Sequence, residues 1–213
     1  MKKNLTEIVF VLDRSGSMAN MVEDTIGGFN AMIDKQKQEA GEAYVSTVLF
    51  STESQVIHDR ADVKTVTPMT RRDYIPGGCT ALLDAVGDAI HHIGNVHKYA
   101  RPEDVPEHTI FVITTDGMEN ASCRYSAEKV KQMIQRQTDK YGWEFVFLGA
   151  NIDAVDAAEH IGIRADRAAN FRADGMGATA AFASVNEAVR QVRSCQPMAA
   201  NWCEAVDHDY TSR

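Results

Sequence analysis

Ile8-Val9-Phe10-Val11-Leu12-Asp13-Arg14-Ser15-Gly16-Ser17 is the stretch on which the reading of this chain turns. Its first five residues form an unbroken β-branched and aromatic run. Apolar residues that are continuous rather than alternating mark a strand buried on both faces, as in a parallel sheet covered by helices on either side. The run ends on a carboxylate. The spacing D-x-S-x-S then puts that carboxylate and two hydroxyls on one tight loop, with Gly16 letting the backbone turn between them. In open α/β sheets, ligands sit beyond the carboxyl ends of the strands, so this loop stands where chemistry is expected.

Working outward, the chain alternates short apolar runs with longer helical periods. Val22, Ile26, Phe29 and Ile33 recur at helical spacing, and Gly41 reads as the end of that helix. Residues 44–50 read as a second strand, 51–54 as a turn and 55–58 as its hairpin partner. Residues 59–78, with Pro68, Pro76, Gly77 and Gly78, read as irregular. Leu82, Leu83, Val86, Ile90 and Ile93 line one face of a second helix, followed by a polar connection over 98–108. Residues 109–115 form a strongly apolar fourth strand. Ser126 reads as an N-cap with Glu128 in the first turn, and Tyr125 and Val130 stand at the positions of a hydrophobic staple. Residues 144–148 read as a fifth strand, 153–160 as a short helix ended by Gly162, and 168–171 as a weak sixth strand. A last helix carries Phe182, Val185, Val189 and Val192. This rhythm implies a mostly parallel sheet with helices on both faces.

Bulk properties narrow the function. The 213 residues fit one α/β domain, and 44% hydrophobic with 24% charged residues is an ordinary globular balance. The formal net charge is -8, and no basic stretch stands out beyond Arg71-Arg72. That argues against nucleic acid and is compatible with binding a cation. Cys79, Cys123, Cys195 and Cys203 form no C-x-x-C pair, so they read as reduced thiols rather than a zinc knuckle, a Cys195-Cys203-His208 cluster being the weaker alternative. Met1-Lys2-Lys3 imitates the start of a signal peptide, but the apolar run that follows is too short and Asp13 ends it. No stretch approaches membrane-spanning length. A cytoplasmic location with no membrane contact is the expectation.

Three strand ends or helix starts carry hard oxygen ligands: Asp13, Ser15 and Ser17 after the first strand, Thr80 after Gly77-Gly78, and Asp116 before Gly117 at the end of the fourth strand. Each alone is weak, since Thr80 could cap its helix and Asp116-Gly117 is a common turn. Together, two carboxylates and three hydroxyls with water meet the six-oxygen demand of a small divalent cation. Soft ligands are absent, which disfavours zinc or copper at these loops. A cation also gives Asp13 and Asp116 a reason to converge.

Asp13-Arg14-Ser15-Gly16-Ser17-Met18, Gly77-Gly78-Cys79-Thr80-Ala81-Leu82 and Thr115-Asp116-Gly117 together resemble the metal-ion-dependent adhesion site of von Willebrand factor type A domains. The resemblance covers about residues 6–194, giving a domain over 1–194 and a C-terminal tail over 195–213 of no clear period. It implies a Rossmann-like, doubly wound sheet of six strands, one an antiparallel edge, which the hairpin over 44–58 suits. It also implies Mg²⁺, Mn²⁺ or Ca²⁺ held directly by Ser15 and Ser17, directly or through water by Thr80, and mostly through water by Asp13 and Asp116. Stand-alone relatives of this kind are common in bacteria and phages. Glu119, Asn120 and Ser122 either rim the site or form a solvated loop. Met18 and Met21 are either partner surface or core, and His91, His92 and His97 read as solvent-facing or as complements to a helix C-terminus.

The resulting functional expectation is a non-catalytic protein-binding module whose metal takes a Glu or Asp from a partner. One rival is a metal-dependent phosphohydrolase with Asp13 as nucleophile, but its acid/base position two residues on is Ser15. No G-x-S-x-G elbow occurs either. The other rival is an adaptor docking to a separate ATPase, since no P-loop is present in this chain.

Overall fold

The computed structural model describes residues 1–212. In chain order, β1 (Lys2–Asp13) leads to α1 (Val22–Gln36), then β2 (Glu42–Phe50) and β3 (Ser54–Asp62). Next come α2 (Leu82–Tyr99), β4 (Pro106–Thr115), α3 (Ala127–Tyr141) and β5 (Glu144–Ala150). The chain ends with α4 (Ala154–His160), β6 (Ala168–Phe171), α5 (Gly175–Arg193) and α6 (Glu204–Ser212). The strands form one sheet in the order β3-β2-β1-β4-β5-β6. All neighbours are parallel except β2 and β3, so the antiparallel hairpin does form an edge.

The continuous apolar run of β1 is explained by its central place. Ile8, Phe10 and Leu12 point into the layer built with α1 and α5, while Val9 and Val11 point into the layer built with α2, α3 and α4. Alternate residues thus serve opposite cores, and both must be apolar. On the first face, Gly28 in α1 lets the Phe182 ring of α5 come within 2.2 Å of where a Cβ would stand. On the second, the Trp143, Phe111 and Phe145 rings stack with centroids 5.0 to 5.3 Å apart across β4 and β5.

Several boundaries differ from the sequence reading, each for a tertiary reason. β1 begins at Lys2, because its polar first residues still pair with Pro106 of β4. β3 continues to Asp62, and a short 3-10 turn over Val63–Thr65 follows, so the irregular stretch starts later than expected. α1 stops at Gln36, well before Gly41. Gly41 has φ of +83°, and a Cβ there would meet the Asn4 carbonyl at 2.9 Å, so its role is the tight entry into β2. The tail expected without clear structure packs against α5 as far as it is described; residue 213 lies outside the described residues. Trp202 is buried with its indole N–H on the Asp166 carbonyl at 2.9 Å, and the Val206 amide donates to Ser184 Oγ at 3.2 Å.

What replaces a glycine stop on α1 is Arg193, at the end of α5. Its buried guanidinium donates to the Gln36 carbonyl at 2.6 Å and to Gln36 Oε1 at 2.9 Å. It also reaches the Ala40 and Gly41 carbonyls, each at 3.2 Å. A cation at a helix C-terminus satisfies the carbonyls that helix geometry leaves unpaired. Arg193→Met is therefore expected to lower unfolding free energy by about 2–3 kcal/mol, the usual cost of stripping a charged donor from buried acceptors. Urea denaturation with an unchanged slope checks this, and a loss below roughly 0.5 kcal/mol would contradict the capping role.

Candidate metal centre

β1 and β4 run parallel in register, with Leu12 opposite Thr114. Their ends therefore deliver Asp13 and Asp116 to the same place. Asp13 is fully buried and Asp116 nearly so. Asp13 Oδ1 accepts the Ser15 amide at 2.6 Å and Oδ2 accepts the Thr115 hydroxyl at 2.6 Å. The Ser17 hydroxyl donates to Asp116 Oδ1 at 2.6 Å, and Ser15 Oγ lies 3.1 Å from Ser17 Oγ. Ser17 commits its hydrogen to Asp116, so Ser15 must be the donor of the serine pair, and both oxygens keep lone pairs for a ligand.

The Thr80 loop is bound to these two from the backbone side. The Gly16 amide donates to the Gly78 carbonyl at 3.1 Å, and the Gly77 amide to the Arg14 carbonyl at 2.9 Å. Thr80 exchanges two bonds with Asn120: its amide donates to Asn120 Oδ1 at 2.9 Å, and its carbonyl accepts the Asn120 amide at 3.0 Å. Thr80 does not cap α2; Ala81 occupies that position. Its hydroxyl is instead turned to the site. A Cβ on Gly117 would stand 3.6 Å from Thr80 Oγ1 and 3.8 Å from Ser17 Oγ. Gly117 thus leaves open a space that both hydroxyls border. Ser17 links that space to Asp116 and Ser15, and Ser15 links it to Asp13, so the five expected residues, Asp13, Ser15, Ser17, Thr80 and Asp116, are brought together at one end of the sheet.

The electrostatics of the cluster are costly without a cation. Burial raises the Asp13 carboxyl above its ordinary range, partly offset by the Thr115 and Ser15 hydrogen bonds, and the Asp116 charge raises it further. Burial likewise raises Asp116 against the lowering effect of the Ser17 bond. Among the described residues, the donor set is all oxygen. The 3.1 Å separation of the serine hydroxyls is close to the edge of about 2.9 Å that an octahedron with metal–oxygen bonds near 2.0–2.1 Å requires. The residues fit a small hard cation.

Sequence reasoning missed the supports. Thr115 holds Asp13, and the Tyr74 hydroxyl donates to the Asp13 carbonyl from a fully buried ring. Glu119, half-exposed, braces the loop: its Oε2 accepts the Leu83 amide at the start of α2 at 2.9 Å, and its Oε1 accepts the Ser122 amide at 2.7 Å. Asp84, buried within α2, accepts the backbone amides of Cys123, Arg124 and Tyr125 at 2.9 to 3.1 Å. Burial alone pulls its carboxyl up, but these bonds outweigh it and hold it below the ordinary range. An acid amid Leu82, Leu83 and Val86 was the available signal. Met18 and Met21 are core, packed beneath the site. Cys79 and Cys123 are free, exposed thiols. His91 and His92 face solvent, whereas His97 lies half-buried against Trp143, centroids 5.4 Å apart.

No family model matches the sequence, and no curated protein matches it. Solved structures do. The von Willebrand factor domain of the type V pilus tip protein Mfa5 from Porphyromonas gingivalis superposes with TM-score 0.65 at 11% identity, over 86% of this chain and 94% of that one. The PilB minor pilin from Streptococcus sanguinis gives 0.61 at 12%, over 88% of this chain. Proximal thread matrix protein 1 from the mussel byssus, with a zinc-occupied adhesion-site motif, gives 0.57 at 16%, over 88% of this chain. The chain spans 62% of the minor pilin and 46% of the mussel protein. Among the described residues, no helix is long and apolar enough to cross a membrane. With its parallel six-stranded sheet, antiparallel β3 edge and flanking helices, the chain has the fold of a von Willebrand factor type A domain.

Proposed function

We propose that this chain is a divalent-metal-dependent protein-binding module, in which Ser15, Ser17 and Thr80 hold the ion through hydroxyl oxygens and Asp13 and Asp116 act mostly through water. The observation that carries the reading is the buried Asp13-Asp116 pair bordered by three converging hydroxyls. Both Asp13 oxygens are already hydrogen-bonded, which suits a role through water. A bound ion would supply positive charge to these carboxylates and a coordination position for an oxygen from outside. The mussel relative, with zinc at the corresponding motif, supports a divalent ion; the all-oxygen set favours Mg²⁺, Mn²⁺ or Ca²⁺.

A hard cation facing solvent prefers a charged oxygen, so the partner would present a Glu or Asp. Exposed apolar side chains beside the loops support a protein as that partner: Ile75 is 62% exposed next to Pro76-Gly77, and Met118 is 76% exposed next to Gly117. Its identity as a pilus-like element, an ATPase or another protein is open to direct capture. The four unpaired cysteines suit a reducing compartment, the cytoplasm. The phosphohydrolase alternative is disfavoured because a fully buried Asp13 with both oxygens engaged is a poor nucleophile. Turnover of p-nitrophenyl phosphate that disappears in Asp13→Asn would reverse that judgement.

Metal should raise the melting temperature. At one hundred times its dissociation constant, linkage gives about 2.7 kcal/mol. That amounts to roughly 5–10 °C for a chain of this size. Asp13→Ala should remove the shift. The pH dependence has a definite sign. Both carboxyls have raised values, so their contribution to metal-free stability is fully present below the unfolded value of 3.8 and is lost as pH rises through the raised values. Metal compensates only the ionised forms. The metal-induced shift should therefore be largest near neutral pH and fade on acidification through the raised range, and a shift independent of pH would count against carboxylate involvement.

Partner binding should depend on one hydroxyl more than on any rim residue. Thr80→Ala is expected to weaken the complex by more than Met118→Ala, and chelator should mimic it. A double-mutant cycle between Thr80 and the partner's acid, in metal and in chelator, gives the coupling. Additive losses, or binding that survives chelation, would make the ion a clip for the loops rather than a bridge.

A further inference from the structure

The far end of the sheet carries a second cluster of ligating groups. A carboxylate oxygen of Glu107, a ring nitrogen of His108 and the Cys195 thiol all lie within 4.8 Å of one another. His108 Nε2 stands 3.2 Å from Cys195 Sγ. From this juxtaposition we propose that Glu107, His108 and Cys195 form a zinc site, separate from the oxygen cluster and independent of it.

The nitrogen–sulfur edge is close to what zinc demands. With nitrogen at about 2.0 Å and sulfur at about 2.3 Å from the ion, the N···S edge of a tetrahedron is roughly 3.5 Å. The observed 3.2 Å needs only a small outward movement. Glu107 and His108 are half-exposed and Cys195 is exposed, so water can fill the fourth position. The ligand set also separates the two sites chemically. Sulfur and imidazole suit zinc, whereas the all-oxygen cluster suits harder cations. β4 spans residues 106–115, so about 20 Å of strand divides His108 from Thr115.

The backbone around the cluster is irregular where its ligands converge. Neighbouring residues on a strand ordinarily project to opposite faces, yet Glu107 and His108 approach one point. They do so where the pairing of β1 with β4 breaks step between Lys2 and Thr6, and Asn4, at φ of 60°, donates its amide to Glu107 Oε2 at 2.8 Å. Cys195 follows α5 in the left-handed region with φ of 54°, with the Gln196 amide returning to the Gln191 carbonyl at 3.0 Å. That helix-ending position ordinarily takes glycine, and a side chain there is strained. Here it turns the thiol toward His108.

Zinc would bind Cys195 as thiolate, the thiol proton passing to solvent, with His108 neutral. The bound ion ties the start of β4 to the junction between α5 and α6, fastening the C-terminal segment to the sheet.

The test uses the full chain, reduced, with Co²⁺ as the probe and Mg²⁺ in excess. A thiolate ligand gives a sulfur-to-cobalt charge-transfer band in the near ultraviolet, which an all-oxygen site cannot. One equivalent of Co²⁺ should produce the band, and Zn²⁺ should abolish it by displacement. Cys195→Ser should remove the band, and His108→Ala should weaken Co²⁺ affinity at least about tenfold. Asp13→Ala and Cys203→Ser should leave it unchanged; the latter matters because Cys203 Sγ lies 2.9 Å from Asp207 Oδ2. Circular dichroism of each variant without metal verifies folding, and if Cys195→Ser fails it, Cys195→Ala takes its place. No band in the wild type, a band that survives loss of the Cys195 thiol, or full affinity in His108→Ala overturns the proposal. Loss of the band in Asp13→Ala would also overturn it, by assigning the thiolate to Cys79 of the Thr80 loop at the other pole.

Discussion

The parallel pairing of β1 with β4 places two carboxylates, Asp13 and Asp116, side by side at the centre of the sheet, out of water. Like charges in a low-dielectric setting are unfavourable. Much of the surrounding structure answers it. Ser15 and Thr115 donate to Asp13, Ser17 donates to Asp116, and three loops are tied by backbone bonds between Gly16 and Gly78, Gly77 and Arg14, and Asn120 and Thr80. Behind those loops, Glu119 and Asp84 hold the start of α2 against the chain that leaves β4. The site is therefore a property of the sheet's register, with the three loops fixed to one another mainly by backbone bonds.

The central architecture was legible because it rests on local pattern. Five unbroken apolar residues in β1 and four, Ile110 to Ile113, in β4 announce strands buried on both faces, and D-x-S-x-S marks the loop that follows β1. The cap at Ser126 was also legible, since its side chain accepts the Lys129 amide at 3.2 Å, a contact between near neighbours in sequence. What escaped reading depends on distant partners. Arg193 ends α1 from 157 residues away, so no glycine rule could place that helix end. Asp84 and Thr115 look like an ordinary helix acid and strand threonine until the loops they hold are in place. The Met198, Trp202 and Val206 series repeats every fourth residue, a period hidden because the first two lie outside α6.

The sheet's edges differ in how they are finished. β3 closes one side as an antiparallel strand whose register with β2 shifts twice and which carries the left-handed residue Arg60. Irregularity of this kind, with charged residues such as Asp59 and Arg60, discourages another strand from adding on. At the opposite side β6 is only four residues long, and the segment from Trp202 through α6 lies against it. Association through the sheet edges is thus disfavoured on both sides.

The register of β1 and β4 also has a kinetic meaning. The Thr115–Asp13 bond closes a loop of 102 residues, and the Ser17–Asp116 bond one of 99. Closing loops of that size is slow because chain entropy is lost before any contact rewards it. During synthesis, the first strand emerges with half of the cluster and waits for more than a hundred residues before the other half exists. Until then its apolar run lacks the neighbour that buries it, with only β2 available to shield one edge. The cluster is consequently a signature of completed folding: a chain that presents all five of these oxygen-bearing side chains together has already assembled the middle of its sheet.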